Sequence, residues 1–197
     1  GPTSSPIRPC LYTQISRERF VEVKDMFVRN EALSFAPKPK EKSTTKILVI
    51  EDDFDIRQVI CVFLHLSGFE VREALDGRQA IHIIPEYYPD LIVLDLMMHP
   101  VDGWEVLDWL RENPFTPPLP VLILTALTQL AEQVHGLEAG AVEYMTKPTQ
   151  PSKLVERIHA LLSLSVEQRA MLQRKRIDER RSLLKRISAP QPDEFMF

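Results

Sequence analysis

Ile92-Val93-Leu94-Asp95-Leu96-Met97-Met98 is the stretch that decides the fold, because it places one charged residue in an otherwise apolar run. Such a run predicts a strand that is buried on both faces, as in a parallel sheet covered by helices. An ionised carboxylate is costly inside such a sheet, so we place Asp95 at the carboxyl edge of the strand, facing a crevice. Ligands of open α/β sheets bind at that edge, and Asp95 is therefore predicted to be a functional carboxylate.

Strands and helices alternate on both sides of this stretch. We predict strands over residues 46–50, 70–73, 91–94, 120–124 and 142–145, with helices in the intervals. The helix that follows Gly77 is expected to stop near Pro85 and Pro89. Five strands joined by helices require right-handed crossovers in a parallel sheet. The expected fold is a doubly wound α/β domain with helices on both faces of its sheet.

The charge pattern divides the chain into three segments. Residues 45–163 carry 8 basic and 18 acidic side chains, whereas residues 1–44 and 164–197 each have a net charge of +3. We assign the acidic middle to the globular domain. Residues 1–44 are predicted to form an extension with an amphipathic helix over 14–30 and a Pro- and Lys-rich linker over 36–42. An acidic domain makes nucleic-acid binding unlikely and permits a cation site.

The basic carboxyl-terminal segment, residues 164–197, is predicted to be helical. The last helix begins at Ser152 and shows no clear stop at Leu164, so it could run on to about Ser188. Its apolar residues are sparse, and a solvated helix face is the simplest interpretation of its basic residues. A helix of this kind cannot bury itself alone, so the alternative is pairing with a partner or with a second copy of the chain.

Composition indicates a cytoplasmic protein. The chain has only two cysteines, Cys10 and Cys61, which fits a reducing compartment. No apolar run approaches the roughly 20 residues that span a bilayer, so no membrane association is expected.

Polar side chains follow four of the predicted strands. Glu51 and Asp52 follow the first strand, Asp95 the third, Thr125 the fourth and Lys147 the fifth. Three converging carboxylates repel one another unless a divalent cation or a lysine neutralises them, and hard oxygen ligands suit Mg²⁺. Together these groups could let a carboxylate accept a phosphoryl group.

Five motifs in order make the family recognisable. They are Ile47-Leu48-Val49-Ile50-Glu51-Asp52, Leu94-Asp95-Leu96-Met97-Met98, Asp102-Gly103, Leu124-Thr125-Ala126 and Lys147-Pro148. Through them, residues 46–163 resemble the receiver domain of two-component response regulators. The resemblance implies a flavodoxin-like sheet with strand order 2-1-3-4-5 in a bacterial signalling protein.

The resemblance also implies roles for the site residues. Asp95 would be the phosphoacceptor, supplied by a sensor histidine kinase or a phosphotransfer protein. The cation, Mg²⁺ or Mn²⁺, would be bound by Asp95, Asp52, Glu51 and the backbone carbonyl of Met97. Lys147 would bind a phosphoryl oxygen.

Two further residues would form the switch. Thr125 would move to hydrogen-bond the phosphoryl group, and Tyr144 would follow it inward. This motion would remodel the face made by the fourth helix, the fifth strand and the fifth helix.

The chain departs from the family pattern at some positions. His99 stands where proline is usual, and Pro100 comes one residue later. Glu143 and Arg157 fit one of the charged pairs of the symmetric dimer that some members form through this face. Other positions of that set are not matched: Gln133, Val142 and Lys153.

The function indicated by the sequence is a phosphorylation-controlled signalling module and not an enzyme. At most it would phosphorylate itself from small phosphodonors and dephosphorylate itself. Its output would be altered protein–protein contact, including dimerisation through its terminal helices. Two alternatives stay open: a receiver fragment of a larger regulator, hybrid kinase or enzyme, and a scaffold receiver that never takes phosphate.

Overall fold

The computed structural model describes residues 44–115 and 117–188, which contain five strands and six helices. The strands are β1 Lys46–Ile50, β2 Glu70–Ala74, β3 Leu91–Leu94, β4 Val121–Thr125 and β5 Glu143–Thr146. The helices are α1 Phe54–Leu66, α2 Gly77–Tyr87, α3 Gly103–Glu112, α4 Leu130–Glu138, α5 Pro151–Leu162 and α6 Val166–Ser188. The predicted helix over 14–30 and linker over 36–42 lie outside the described residues.

The strands form one parallel sheet in the order β2-β1-β3-β4-β5, which confirms the predicted fold. Strand β3 lies at its centre, and all four of its residues are buried. Leu94 pairs with Ile50 of β1 and Ile123 of β4, so the carboxyl ends of the three central strands lie side by side. This arrangement sets Asp95 between the residues that follow β1 and β4.

Two apolar cores cover the two faces of the sheet. Helices α1 and α5 pack on one face, where Ile47 and Val49 point. Helices α2, α3 and α4 pack on the other, where Leu48 and Ile50 point. Because both faces are covered, β1, β3 and β4 contain near-continuous apolar residues with polar side chains only at their ends, whereas the edge strand β2 also carries Arg72 and Glu73 in its interior.

Aspartate side chains begin three of the helices that follow the sheet's carboxyl edge. Asp53, Asp76 and Asp102 are the N-cap residues of α1, α2 and α3, and each accepts a backbone N–H three residues on. Such caps contribute about 1 kcal/mol each and hold the strand-to-helix loops in place. The loops that follow β1, β2 and β3 are therefore constrained from both ends.

Helix α2 ends between Pro85 and Pro89, as the sequence predicts, although Pro85 itself still lies within the helix. The helix continues to Tyr87 and is followed by Tyr88 in a left-handed conformation, with φ 51°. Proline removes one backbone hydrogen bond, but the buried side chains of Ile84 and Tyr87 hold the last turn against the sheet.

The prediction that the last helix continues without a break is wrong, although its predicted end at about Ser188 is confirmed. The helix breaks after Leu162, and α6 begins at Val166. The Ser165 hydroxyl accepts the Gln168 N–H at 3.2 Å, and the Gln168 side chain accepts the Ser165 N–H at 2.8 Å. This reciprocal capping box starts a new helix, which turns back and packs on α4.

Among the described residues, no helix is long and apolar enough to cross a membrane.

Candidate functional site

Three carboxylates and one lysine converge at the carboxyl edge of the sheet. Glu51 and Asp52 follow β1 and Asp95 follows β3, and one oxygen of each lies within 4.8 Å of the others. Lys147, which follows β5, places its Nζ 2.6 Å from both Glu51 Oε2 and Asp95 Oδ2. The prediction that these four side chains meet agrees with this geometry.

Burial makes the charges of this cluster interact strongly. Glu51 is 2% exposed and Asp95 4% exposed, whereas Asp52 faces solvent. Burial raises the pKa of Glu51, and the nearby charge of Asp95 adds to this despite the hydrogen bond from Lys147. Burial alone would lower the pKa of Lys147, but its bonds to Asp95 and Glu51 raise it and keep the ammonium charged.

The cluster fits a divalent cation. Lys147 pairs with only two of the three carboxylates, so negative charge remains uncompensated when all are ionised, and the charge of Asp95 adds to the effect of burial in raising the pKa of Glu51. The ligands are hard oxygens, one of them open to water, which is the donor set that Mg²⁺ accepts.

Backbone bonds hold Asp95 in position. Its N–H donates to the Ile50 carbonyl at 2.9 Å, and its Oδ1 accepts the Met97 N–H at 3.0 Å. Gly103, at the start of α3, lies against the Asp95 backbone, and its N–H donates to the Leu96 carbonyl at 3.1 Å. Gly103 of the Asp102-Gly103 motif therefore helps to fix the position of Asp95, because its backbone packs closely against that of Asp95.

Thr125 and Tyr144 lie next to this cluster on β4 and β5. Thr125 is fully buried, and its hydroxyl has no hydrogen-bond partner within the described structure. Tyr144 is buried, and its phenol donates to the Leu127 carbonyl at 3.1 Å. Burial raises the pKa of Tyr144 to about 12, helped by Glu132 and Asp95 and opposed by Arg180, so the phenol stays a donor at neutral pH.

Other residues singled out from the sequence stand apart from the cluster. His99 is exposed in the loop after Asp95. Glu143 and Arg157 are 3.9 Å apart, but Glu143 has a closer partner, Arg176 of α6, at 2.5 Å.

Arg57, which is not among the residues predicted from the sequence, positions the backbone of the site. Its guanidinium is buried, donates to the carbonyls of Glu51 and Asp52 at 2.7 and 3.2 Å, and pairs with Glu73 at 3.0 Å. A signal was present in the sequence. Arg57 falls on the buried stripe of α1 that also contains Ile60, Cys61 and Leu64, and a charge on such a stripe needs a buried partner.

Replacing Arg57 by methionine is expected to lower the free energy of unfolding by about 3 kcal/mol, because Glu73 and two carbonyls lose a buried donor. Urea denaturation measures the effect. The matched control is Arg78→Met on an exposed position of α2, which should change stability by about 0.5 kcal/mol or less. Equal values for the two variants would contradict the positioning role.

Comparison with known proteins agrees with the fold. Residues 47–159 match the family model of the response regulator receiver domain. The chain is 39% identical over 117 residues to the DNA-binding dual master transcriptional regulator RpaA of Synechocystis sp., a match covering 59% of this chain and 48% of that protein. It is 40% identical over 117 residues to the phosphate regulon transcriptional regulatory protein PhoB of Escherichia coli, covering 59% and 51%. The chain thus spans about half the length of the curated relatives it matches.

Solved structures show the same likeness. The receiver domain of the Francisella response regulator 1452 is 34% identical with a TM-score of 0.57, covering 60% of this chain and 97% of that one. The BeF₃-activated N-terminal receiver domain of Klebsiella pneumoniae RstA is 30% identical with a TM-score of 0.57, covering 61% and 100%.

The sheet and its acidic edge define a doubly wound α/β domain that has its functional groups at the carboxyl ends of the strands. With the match over residues 47–159, the chain belongs to the response regulator receiver domain family.

Proposed function

We propose that this protein accepts a phosphoryl group on Asp95 from a histidine kinase or a phosphotransfer protein. The observation that carries the proposal is the cluster of three carboxylates that includes the buried Asp95, with Lys147 paired to Asp95 and Glu51. Glu51, Asp52, Asp95 and the Met97 carbonyl would bind Mg²⁺, or Mn²⁺ in its place. The bound cation would neutralise charge on the phosphoryl oxygens.

The chain's own groups have defined parts in the transfer. An Asp95 oxygen attacks phosphorus while the bond to the donor's nitrogen or oxygen breaks, and the leaving group takes up a proton. Lys147 stabilises the charge on the phosphoryl group, because its Nζ already lies 2.6 Å from Asp95. The product is a mixed anhydride on Asp95.

The unpartnered Thr125 hydroxyl supports a switch. A buried hydroxyl without a partner costs free energy, and a phosphoryl oxygen on Asp95 would supply the missing hydrogen bond. Movement of Thr125 would displace the following loop, whose Leu127 carbonyl is bound by Tyr144. Signalling would then proceed through changed protein contacts.

Intact-mass measurement after incubation with a small phosphodonor and Mg²⁺ tests the proposal. One phosphoryl group per chain is expected, labile to hydroxylamine and mapping to the peptide that contains Asp95. Absence of any adduct with both acyl-phosphate and phosphoramidate donors would favour the alternative of a scaffold receiver.

Mg²⁺ is expected to stabilise the fold by about 2.7 kcal/mol when its concentration is about 100 times its Kd. Asp52→Asn should remove most of this gain, because an amide is a weaker and uncharged ligand. Thermal unfolding with and without Mg²⁺ measures the effect. The matched control is Asp53→Asn, which makes the same change one residue away and keeps the α1 cap. An equal Mg²⁺ effect in both variants would refute the ligand assignment.

The remaining functional expectations are part of the same proposal. The acidic charge of residues 45–163 supports the expectation that the domain itself does not bind nucleic acid. Dimerisation and a cytoplasmic location also stay predictions.

A further inference from the structure

Helix α6 covers a surface of the domain made by α4 and the start of β5. The contact between α4 and α6 is more extensive than that between any other two helices of the described chain. Leu172 and Ile177 pack toward the two cores, and no residue of α6 is fully buried. Helix α6 therefore packs on the surface of the domain and not in its core, and much of the contact is made by polar side chains.

Three side chains of α6, spaced like successive positions on one helix face, make the polar bonds. Gln173 Nε2 donates to the carbonyls of Leu137 and Ala141 at 2.7 and 2.9 Å. Arg176 donates to the Val142 carbonyl at 2.6 Å and pairs with Glu143 at 2.5 Å.

Arg180 is the third of these side chains, and it extends the contact toward the amino end of α4. Its Nε donates to Gln133 Oε1 at 2.9 Å. Next to it in sequence, Arg181 pairs with Glu138 at 2.5 Å. The surface made by α4 and the start of β5 thus has hydrogen-bond acceptors at the positions where the polar and basic side chains of α6 can reach them.

One of these bonds also accounts for a departure from the family's dimer pattern. Gln133 stands where another charge was expected, and its side chain accepts a hydrogen bond from Arg180. Glu143 is buried and has its shortest ion pair with Arg176. The residues of this face therefore suit a helix that carries Gln173, Arg176 and Arg180.

The contact spans two elements that the switch would move relative to one another. Gln173 bonds at once to Leu137 of α4 and to Ala141 in the loop before β5. The amino end of α4 follows the loop that Tyr144 holds through the Leu127 carbonyl. A shift of α4 against β5 would therefore separate the acceptors on which α6 depends.

We propose that the α4–β5 surface is a helix-binding site that α6 occupies while Asp95 is unmodified. A phosphoryl group on Asp95 would release α6 from this surface. This inference rests on the proposed function, because the release is driven from Asp95. If α6 is released in this way, the α4–β5 surface becomes available to other proteins only after Asp95 is phosphorylated.

Hydrogen exchange of the full chain, with and without Mg²⁺ and beryllofluoride, tests the coupling. Beryllofluoride on Asp95 imitates a phosphoryl group. Amides of residues 170–182 are expected to exchange at least about tenfold faster with it, while the peptide that contains Asp95–Met97 becomes more protected. Protection at Asp95 without faster exchange in α6 would overturn the coupling and leave the proposed function intact. No change at either place would overturn both.

Two variants test the surface itself without any ligand. Arg176→Gln removes the bonds to Glu143 and Val142 and should speed exchange in α6 at least about tenfold. The matched control, Arg174→Gln, makes the same change on the exposed face of α6 and should leave the exchange unchanged. Peptides from β1 serve as an internal reference for the fold. Equal exchange in the two variants would show that Arg176 does not hold the helix.

Discussion

Asp95→Asn is expected to abolish covalent uptake of phosphate from small donors in the presence of Mg²⁺. An amide oxygen is a poor nucleophile, and its phosphoryl adduct would not persist. The fold should survive, because asparagine can still accept the Met97 N–H and fill the same volume. Intact-mass measurement before and after hydroxylamine treatment reports the loss.

The matched control is Asp53→Asn. It removes the same charge at a position beside the cluster, and asparagine caps α1 as well as aspartate does. Labelling of this variant at the wild-type level would show that local charge alone does not govern uptake. If Asp95→Asn took up phosphate with unchanged stoichiometry, the assignment of the acceptor would be wrong.

Gly103→Ala is expected to destabilise the fold by about 3 kcal/mol or more, because there is no space for a methyl group. An added Cβ would lie 2.2 Å from the Asp95 carbonyl oxygen and 2.7 Å from the Leu96 Cα, and neither backbone atom can move freely. Relief requires α3 and the loop after β3 to separate, which displaces Asp95. Urea denaturation should show the loss of stability, and the phosphodonor assay a loss of uptake.

Gly68→Ala provides the contrast. Gly68 has φ +88°, and nothing lies within 4 Å of an added Cβ, so the substitution introduces backbone strain without a clash. Its expected cost is about 1 kcal/mol, with phosphate uptake unchanged. If Gly103→Ala cost no more than Gly68→Ala, close packing against Asp95 would not be important.

Local patterns in the sequence were sufficient for the five strands and for the four charged groups at their ends, whereas the strand order came from the family resemblance. The apolar run before Asp95 predicts a buried strand, and buried parallel strands expose polar groups only at their ends. Because the ends of neighbouring strands meet, Glu51 and Asp52 had to lie near Asp95 once the strand order was known, and the long side chain of Lys147 reaches Asp95 past the end of β4. No long-range information beyond that order was needed.

Two features could have been predicted from local sequence signals but were not. Arg57 occupies a buried position of an amphipathic helix, and Ser165 with Gln168 forms a capping box that breaks the last helix. Both are local signals. The apolar spacing across residues 152–188 concealed the break, since helical periodicity continues through a three-residue turn.

The sequence by itself determined the strands, the helix caps and the chemistry at the edge of the sheet, because periodicity and capping act between residues close together in the chain. Only the tertiary structure decided that the Thr125 hydroxyl is buried without a partner and that α6 binds the α4–β5 surface. Gln173 and Arg176 meet acceptors more than 30 residues away, several of them backbone carbonyls. A carbonyl has the same form in every residue, so its availability depends on the fold and not on the side chain that the sequence specifies.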